Sequence, residues 1–132
     1  MVFLDSNVPM YLLGAEHPNK ALASAELSRL ITSRERLITD AAVYEELVYL
    51  YATIGRRDMI QPAFDVLSSM VDEVIAIDQA HVNAAKALVL AYPEVSARDA
   101  VHAATMQQND VRQILTFDTG FDLIPDLQRI PS

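Results

Sequence analysis

The chain has 132 residues, of which 52% are hydrophobic, 3 are glycine and none is cysteine. That length fits one globular domain, spanning residues 1–132 and burying about two thirds of its unfolded surface, and the lack of cysteine excludes disulfides, thiolate catalysis and sulfur-ligated zinc or iron. The net charge of −8 argues against a passive nucleic-acid binder, because phosphate is repelled overall, but not against an enzyme whose bound divalent metal reverses the local field.

In chain order, the apolar run Val2, Phe3 and Leu4 reads as a buried strand that stops abruptly on Asp5, Ser6 and Asn7. Ser6 to Leu13 reads as a short helix, broken near Gly14 and Pro18, and Lys20 to Arg34 as a longer one with Leu22, Leu27, Leu30 and Ile31 on one face. A short strand is predicted over Arg36 to Thr39, then a helix from Asp40 to Ile54 that stops at Gly55, then another from Asp58 to Met70. Val74 to Ile77 is a predicted strand, and Asp78 caps a helix running to Ala91. Pro93 separates it from a helix at Ala97 to Asn109; Gln113 to Phe117 is the next strand and Leu127 to Ile130 a last edge strand. Apolar strands alternating with helices predict an α/β fold, a parallel sheet covered on both faces. No repeat, linker or low-complexity tract interrupts it. The N-terminus lacks the basic start and long apolar core of a signal peptide, and no apolar run approaches membrane-spanning length, so a cytoplasmic protein with no membrane partner is expected.

In open parallel sheets, ligands bind beyond the carboxyl ends of the strands, so acids there carry most information. Asp5 ends the first strand and Asp118 follows the fourth; Asp99 lies in the first turn of the helix feeding that fourth strand, and Glu46 lies in the helix after the second. Each has an ordinary structural alternative. Asp5 or Ser6 can cap the first helix, Ser96 and Asp99 form a plausible capping box, and Asp118 can be a turn acid before Gly120. Glu45 and Glu46 can form a solvated helix face. Helical phase separates that last pair: with about 100° per residue, Val43, Leu47, Leu50 and Ile54 form a stripe, Glu46 falls at its edge and Glu45 points nearly opposite. A carboxylate beside a buried face is costly unless it is paired or liganded.

The stretches FLDSNV, VYEEL, SARDAVHAA and ILTFDTGFD together resemble the four acidic motifs of PIN-domain ribonucleases, closest to the toxins of VapBC toxin–antitoxin systems. The resemblance spans essentially the whole chain. It implies metal-site and catalytic acids at Asp5, Glu46, Asp99 and Asp118, with Ser6 and Asn7 in supporting positions and Asp122 at a further, less uniform acidic position. It also implies a three-layer α/β/α fold around a parallel sheet of four or five strands, RNA as substrate, a homodimer, and an antitoxin whose C-terminal segment covers the acidic cleft.

The residue types fit that chemistry, because hard all-oxygen carboxylate sites suit Mg²⁺ or Mn²⁺ better than zinc. His17 in a loop and His81 at a helix start read as solvated, and His102, one turn after Asp99, reads as a structural histidine that can also face the site. A haloacid-dehalogenase-like phosphatase needs a second Asp where Asn7 stands, a receiver domain needs a lysine after a late strand, and no glycine-rich loop supports a Rossmann or P-loop reading. Arg56, Arg57, Arg98 and Lys20 are candidate RNA contacts, with surface charge as the ordinary alternative, and Tyr44, Tyr49 and Tyr51 serve packing or an interface. The sequence therefore predicts a metal-dependent endoribonuclease, a toxin of a toxin–antitoxin pair. Its alternatives are an RNA-processing nuclease without an antitoxin and a PIN-like module that binds RNA or protein without cutting.

Overall fold

The computed structural model describes residues 1–131. Five parallel strands, β1 (Val2–Leu4), β2 (Leu37–Asp40), β3 (Glu73–Ile75), β4 (Gln113–Leu115) and β5 (Gln128–Ile130), form one sheet in the order β3-β2-β1-β4-β5. Six helices connect them: α1 (Asn7–Leu13), α2 (Pro18–Thr32), α3 (Ala41–Thr53), α4 (Ile60–Met70), α5 (Gln79–Ala91) and α6 (Ala97–Gln108). The predicted α/β fold with a parallel sheet is the observed one, and five strands settle the expected four or five.

Residue type dictates the layering. The central strands are sealed on both faces, with Val2, Phe3, Leu4, Ile114 and Leu115 at 0% exposure, as continuous apolar runs in parallel sheets require. β3 is an edge strand, and Val74 on it is 46% exposed. The chain steps outward from β1 to β2 and β3, then returns to the other side of β1 for β4 and β5. The connections leaving β1 and β4 therefore run in opposite directions, which opens a crevice at the carboxyl ends of these two neighbours. The register pairs Leu4 with Leu115, so the residues that follow them emerge side by side.

Several details differ from the sequence expectations. Pro18 is the first residue of α2 rather than a break before it, since proline's missing N–H costs nothing at that position, and the His17 side chain caps the helix by accepting from Asn19 N at 3.0 Å. On α2 the buried stripe is Ala23, Leu27 and Leu30, while Leu22 and Ile31 are 46% and 58% exposed. On α3 it is Val43, Leu47 and Tyr51; Ile54 is 59% exposed at the C-cap, before Gly55 turns left-handed at φ 72°. A 3₁₀ turn at Arg57–Met59 precedes α4 where one continuous helix was expected, and β3 ends at Ile75, two residues early. His81 is buried rather than solvated: Asp78 Oδ1 accepts from His81 N and His81 Nδ1 accepts from Asp78 N, both at 3.1 Å, a reciprocal capping box.

Candidate active site

The crevice between β1 and β4 is where the acids gather. Asp5 follows β1 directly and is 4% exposed, its carboxylate fixed by three donors: Ser6 N at 2.8 Å on Oδ1, and the Thr116 hydroxyl at 2.7 Å and Asn7 Nδ2 at 3.5 Å on Oδ2. Thr116 follows β4, and its Oγ1 also accepts from Asn7 Nδ2 at 3.0 Å and from Asp118 N at 3.0 Å. The helix-capping alternative for Asp5 is thus not what its side chain does; it ties the start of α1 to the loop after β4.

Asp118 begins the 3₁₀ turn Thr119–Leu123, and its Oδ1 accepts from Gly120 N at 2.8 Å, so it is a turn acid and a crevice acid at once. Asp99 lies opposite it. Ser96 caps α6 by accepting from Asp99 N at 3.1 Å, which leaves the Asp99 carboxyl to face Gly120 together with that of Asp118. Both carboxyls crowd Gly120: a Cβ added there would lie 2.8 Å from Asp99 Oδ2 and 3.0 Å from Asp118 Oδ1. Only a residue without a side chain lets the turn approach so closely.

Glu46 reaches the same crevice from α3, while Glu45 on that helix is exposed. Glu46 Oε2 accepts from the Ser6 hydroxyl at 2.7 Å, and its Oε1 lies 2.5 Å from His102 Nε2. His102 is 0% exposed, and its other ring nitrogen, Nδ1, lies 3.1 and 2.9 Å from the two oxygens of Asp40, itself 0% exposed. Asp5, Glu46 and His102 each offer a ligand atom within 4.8 Å of one another. Among the described residues this is the one such group, and Asp99 with Asp118 forms a second pair coupled to it through the charge of Asp5.

Asp122 stands apart. Its carboxylate is 52% exposed and accepts from Arg129 Nε and Nη2, both at 3.1 Å, a pairing across to β5 that the sequence spacing did not reveal. Two residues that sequence reasoning assigned no part, Asp40 and Thr116, complete the hydrogen-bonded frame. Asp40 ends β2 just as Asp5 follows β1, so the strand-end rule that selected Asp5 and Asp118 selects it too.

The electrostatics follow from burial and crowding. Burial raises the Asp5 carboxyl above its usual range, opposed by the His102 charge and the Thr116 hydrogen bond. Asp99 is pushed up to about 8, first by burial, then by the hydrogen bond and charge of Asp118 and the charge of Asp5. Burial pulls His102 down, but its hydrogen bonds to Asp40 and Glu46 and the charges of Asp40 and Asp5 outweigh it and hold the ring well above the ordinary histidine value. Burial and crowding that raise Asp5 and Asp99 above the usual carboxyl range mark a site short of positive charge. A hard divalent cation fits that oxygen-rich donor set, whose carboxylates are crowded and mostly buried.

Beside Glu46 lies an open cavity of about 500 Å³, lined by Glu45, Tyr49, Ile77, Val82 and Arg98 among others. The Arg98 guanidinium sits 4.6 Å from the centre of the Tyr49 ring. Two of the other basic candidates are engaged elsewhere: Arg56 pairs with Asp58 at 3.0 Å, and Lys20 donates to the Gly14 carbonyl at 3.0 Å.

A parallel sheet with carboxylates collected at its topological switch point defines a class of α/β domain with an acidic crevice. Comparison with known proteins makes this specific. The family model described as "PIN domain" matches residues 2–127, and the chain belongs to that family. It is 45% identical over 130 residues to Ribonuclease VapC13 of Mycobacterium tuberculosis, covering 98% of this chain and 99% of that protein. It is 33% identical over 118 residues to Ribonuclease VapC23 of the same species, covering 89% of this chain and 93% of that one. Among solved structures, VapC20 of M. tuberculosis, described as a sarcin-ricin loop cleaving toxin, superposes with a TM-score of 0.74 at 22% identity over 95% of each chain. VapBC2 from Rickettsia felis, bound to a DNA fragment from its promoter, gives 0.74 at 16% identity over 98% of this chain and 97% of that one. These two structural likenesses bear on the fold alone.

Proposed function

We propose that this chain, acting as one PIN-like domain, is a metal-dependent endoribonuclease and the toxin of a toxin–antitoxin pair. The observation that carries the reading is the convergence of Asp5, Glu46, Asp99 and Asp118, from four separate parts of the chain, on the crevice between β1 and β4. These four would hold Mg²⁺ or Mn²⁺, with Ser6 and Asn7 fixing Glu46 and Asp5. Asp122, held by Arg129, is left outside the ligand set. Bound there, the ion supplies positive charge for the scissile phosphodiester and lowers the pKa of water.

The chain's own residues do the rest. Asp99, pushed up to about 8 by burial and by neighbouring Asp118, would give up its proton to bind the ion. Thr116 and Asn7 hold Asp5 in one orientation, so little reorganisation accompanies substrate binding. Arg98, beside Asp99 and stacked on Tyr49 at the mouth of the cavity, is placed to meet RNA phosphate or a base. The ribonuclease names of the two relatives support an RNA substrate.

An antitoxin partner is supported by solved neighbours that are VapBC or toxin–antitoxin complexes, and the homodimer rests on the family resemblance. No helix of the described residues is long and apolar enough to cross a membrane. The test is cleavage of single-stranded RNA by the purified chain: activity with Mg²⁺ or Mn²⁺, loss with EDTA, and recovery on adding the ion back. Cleavage that survives EDTA, or no cleavage by a folded chain with either ion, overturns the reading. Expression alone should arrest growth, and co-expression of a small antitoxin encoded beside it should relieve the arrest; harmless expression of an active nuclease would favour RNA processing.

A further inference from the structure

We propose that His102 is a positioning residue for the nuclease site, a brace that fixes the Glu46 carboxylate by linking it to the buried cap residue Asp40. This rests on the metal-nuclease reading above, which assigns Glu46 to the site and gives His102 no part. The brace begins at a fixed point. Asp40 is the N-cap of α3 and is 0% exposed, its Oδ1 accepting from Val43 N at 2.9 Å. Both Asp40 oxygens face His102 Nδ1, at 3.1 and 2.9 Å, which sets the ring plane. The opposite ring nitrogen then has one direction to point, and Glu46 Oε1 lies there at 2.5 Å.

Glu46 needs such a hold more than the aspartates do. Its longer side chain has an extra rotatable bond, and it borders the 500 Å³ cavity, so an unbraced carboxylate has room to swing away from Asp5. The Ser6 hydroxyl at 2.7 Å is its other recorded partner, and Ser6 is itself partly exposed. His102 also lies one helical turn after Asp99, so α6 delivers one acid of the site and fixes the position of another. Groups that orient a metal's ligands in this way are worth about 10- to 100-fold in metal affinity or activity.

The two amide replacements separate the halves of the brace. The side-chain nitrogen of Asn matches Nδ1 of histidine and that of Gln matches Nε2, so His102→Asn keeps a donor toward Asp40 and His102→Gln keeps one toward Glu46. Mn²⁺ affinity is measured by titration calorimetry on each folded protein, with metal-free melts as the fold check. His102→Asn is expected to weaken Mn²⁺ binding about 10- to 100-fold and His102→Gln to recover part of that loss. In a Glu46→Gln background, His102→Asn should cost little more, because the carboxylate it positions is already gone. Full Mn²⁺ affinity in folded His102→Asn, or additive losses in the double variant, overturns the proposal.

Electron spin echo spectra of the Mn²⁺-loaded wild type supply a second readout. No ¹⁴N coupling is expected; a coupling that vanishes in His102→Gln would make the histidine a ligand and overturn its positioning role. Should His102→Asn fail to fold, these spectra and the His102→Gln affinity decide, with a loss no smaller than about 100-fold in His102→Gln counting against the brace. Asp99→Asn distinguishes the two levels. If it loses Mn²⁺ while His102→Asn does not, the metal site stands and the brace fails; if it binds Mn²⁺ normally, both fail.

Discussion

Asp5 and Thr116 are 111 residues apart in sequence and 2.7 Å apart in the fold, hydroxyl to carboxylate. Their contact follows from one topological fact: β1 and β4 are neighbours in the sheet although the chain visits β2 and β3 between them. Each residue sits just beyond its strand, and the bond between their side chains closes the floor of the crevice. Burial at such a point is costly for a lone charge. Hydroxyl and amide donors lessen that cost for Asp5 without cancelling it, since its carboxyl still lies above the usual range.

The first prediction is a stability profile that runs opposite to ordinary acid denaturation. The Asp99 carboxyl, at about 8 in the folded state against 3.8 as the reference value, binds a proton on folding throughout the interval between them. Where the folded state holds more protons, stability falls as pH rises, by at most about 1.4 kcal/mol per pH unit for one group. Asp5, also raised, has the same sign, and so does His102, whose stabilising charge is complete below its unfolded value of 6.5 and is lost as pH climbs through its higher folded value. Denaturant melts of the metal-free protein between about pH 5 and 8 should show declining stability. Asp99→Asn should flatten the slope, and a stability that rises across this interval would contradict the assignment.

Metal should reverse the trend. A divalent ion displaces the proton held by Asp99, so its affinity should increase with pH up to about 8. At a hundredfold excess over its dissociation constant it should add about 2.7 kcal/mol to stability. Millimolar Mn²⁺ should raise the melting temperature of the wild type far more than that of Asp5→Asn. Equal shifts in the two proteins would place the ion elsewhere.

How much of this could be read from the chain depends on the range over which each feature is set. The strands were legible because a parallel sheet seals both faces and leaves continuous apolar runs, and the strand-end acids followed from the topology such runs imply. Glu46 separated from Glu45 even though the stripe was drawn through Leu50 and Ile54 instead of Tyr51, because a shift of roughly 20–40° in its centre still leaves Glu45 on the far side. What stayed hidden lies in contacts that no local pattern encodes. The Asp40–His102 pair spans 62 positions, and each member has a local explanation, a helix cap and an interior histidine, that is also true. Arg129, which engages Asp122, arrives on an edge strand whose partners only the sheet determines.

Gly120 offers a test that changes no ionisable group. A methyl there would overlap Asp99 Oδ2 and press on Asp118 Oδ1, and its backbone has no left-handed conformation to strain. Gly120→Ala should therefore fold with a stability change of about 1 kcal/mol or less while forcing the two carboxyls apart. Mn²⁺ affinity and cleavage rate should both fall by an order of magnitude or more, on the scale of a misplaced catalytic group. An alanine variant that cuts and binds metal like the wild type would show that Asp99 and Asp118 need not sit as close as they do here.

The last prediction uses the paired glutamates of α3 as their own control. Glu46→Gln removes the charge and nearly preserves the shape, so a purely structural carboxylate should tolerate it, whereas a carboxylate needed for a cation should not. The variant can keep its oxygen toward His102 and donate its amide to the Ser6 hydroxyl oxygen, so the fold should hold. Cleavage with Mn²⁺ should be abolished or strongly reduced. Glu45 is exposed on the same helix, and removing one exposed charge contributes within about 1 kcal/mol, so Glu45→Gln should keep near-wild-type rates and melting temperature. The measurement is the initial rate of RNA cleavage for both variants, with thermal melts alongside. Activity lost in Glu45→Gln and retained in Glu46→Gln would remove Glu46 from the site, and with it the link from α3 through His102 to Asp40.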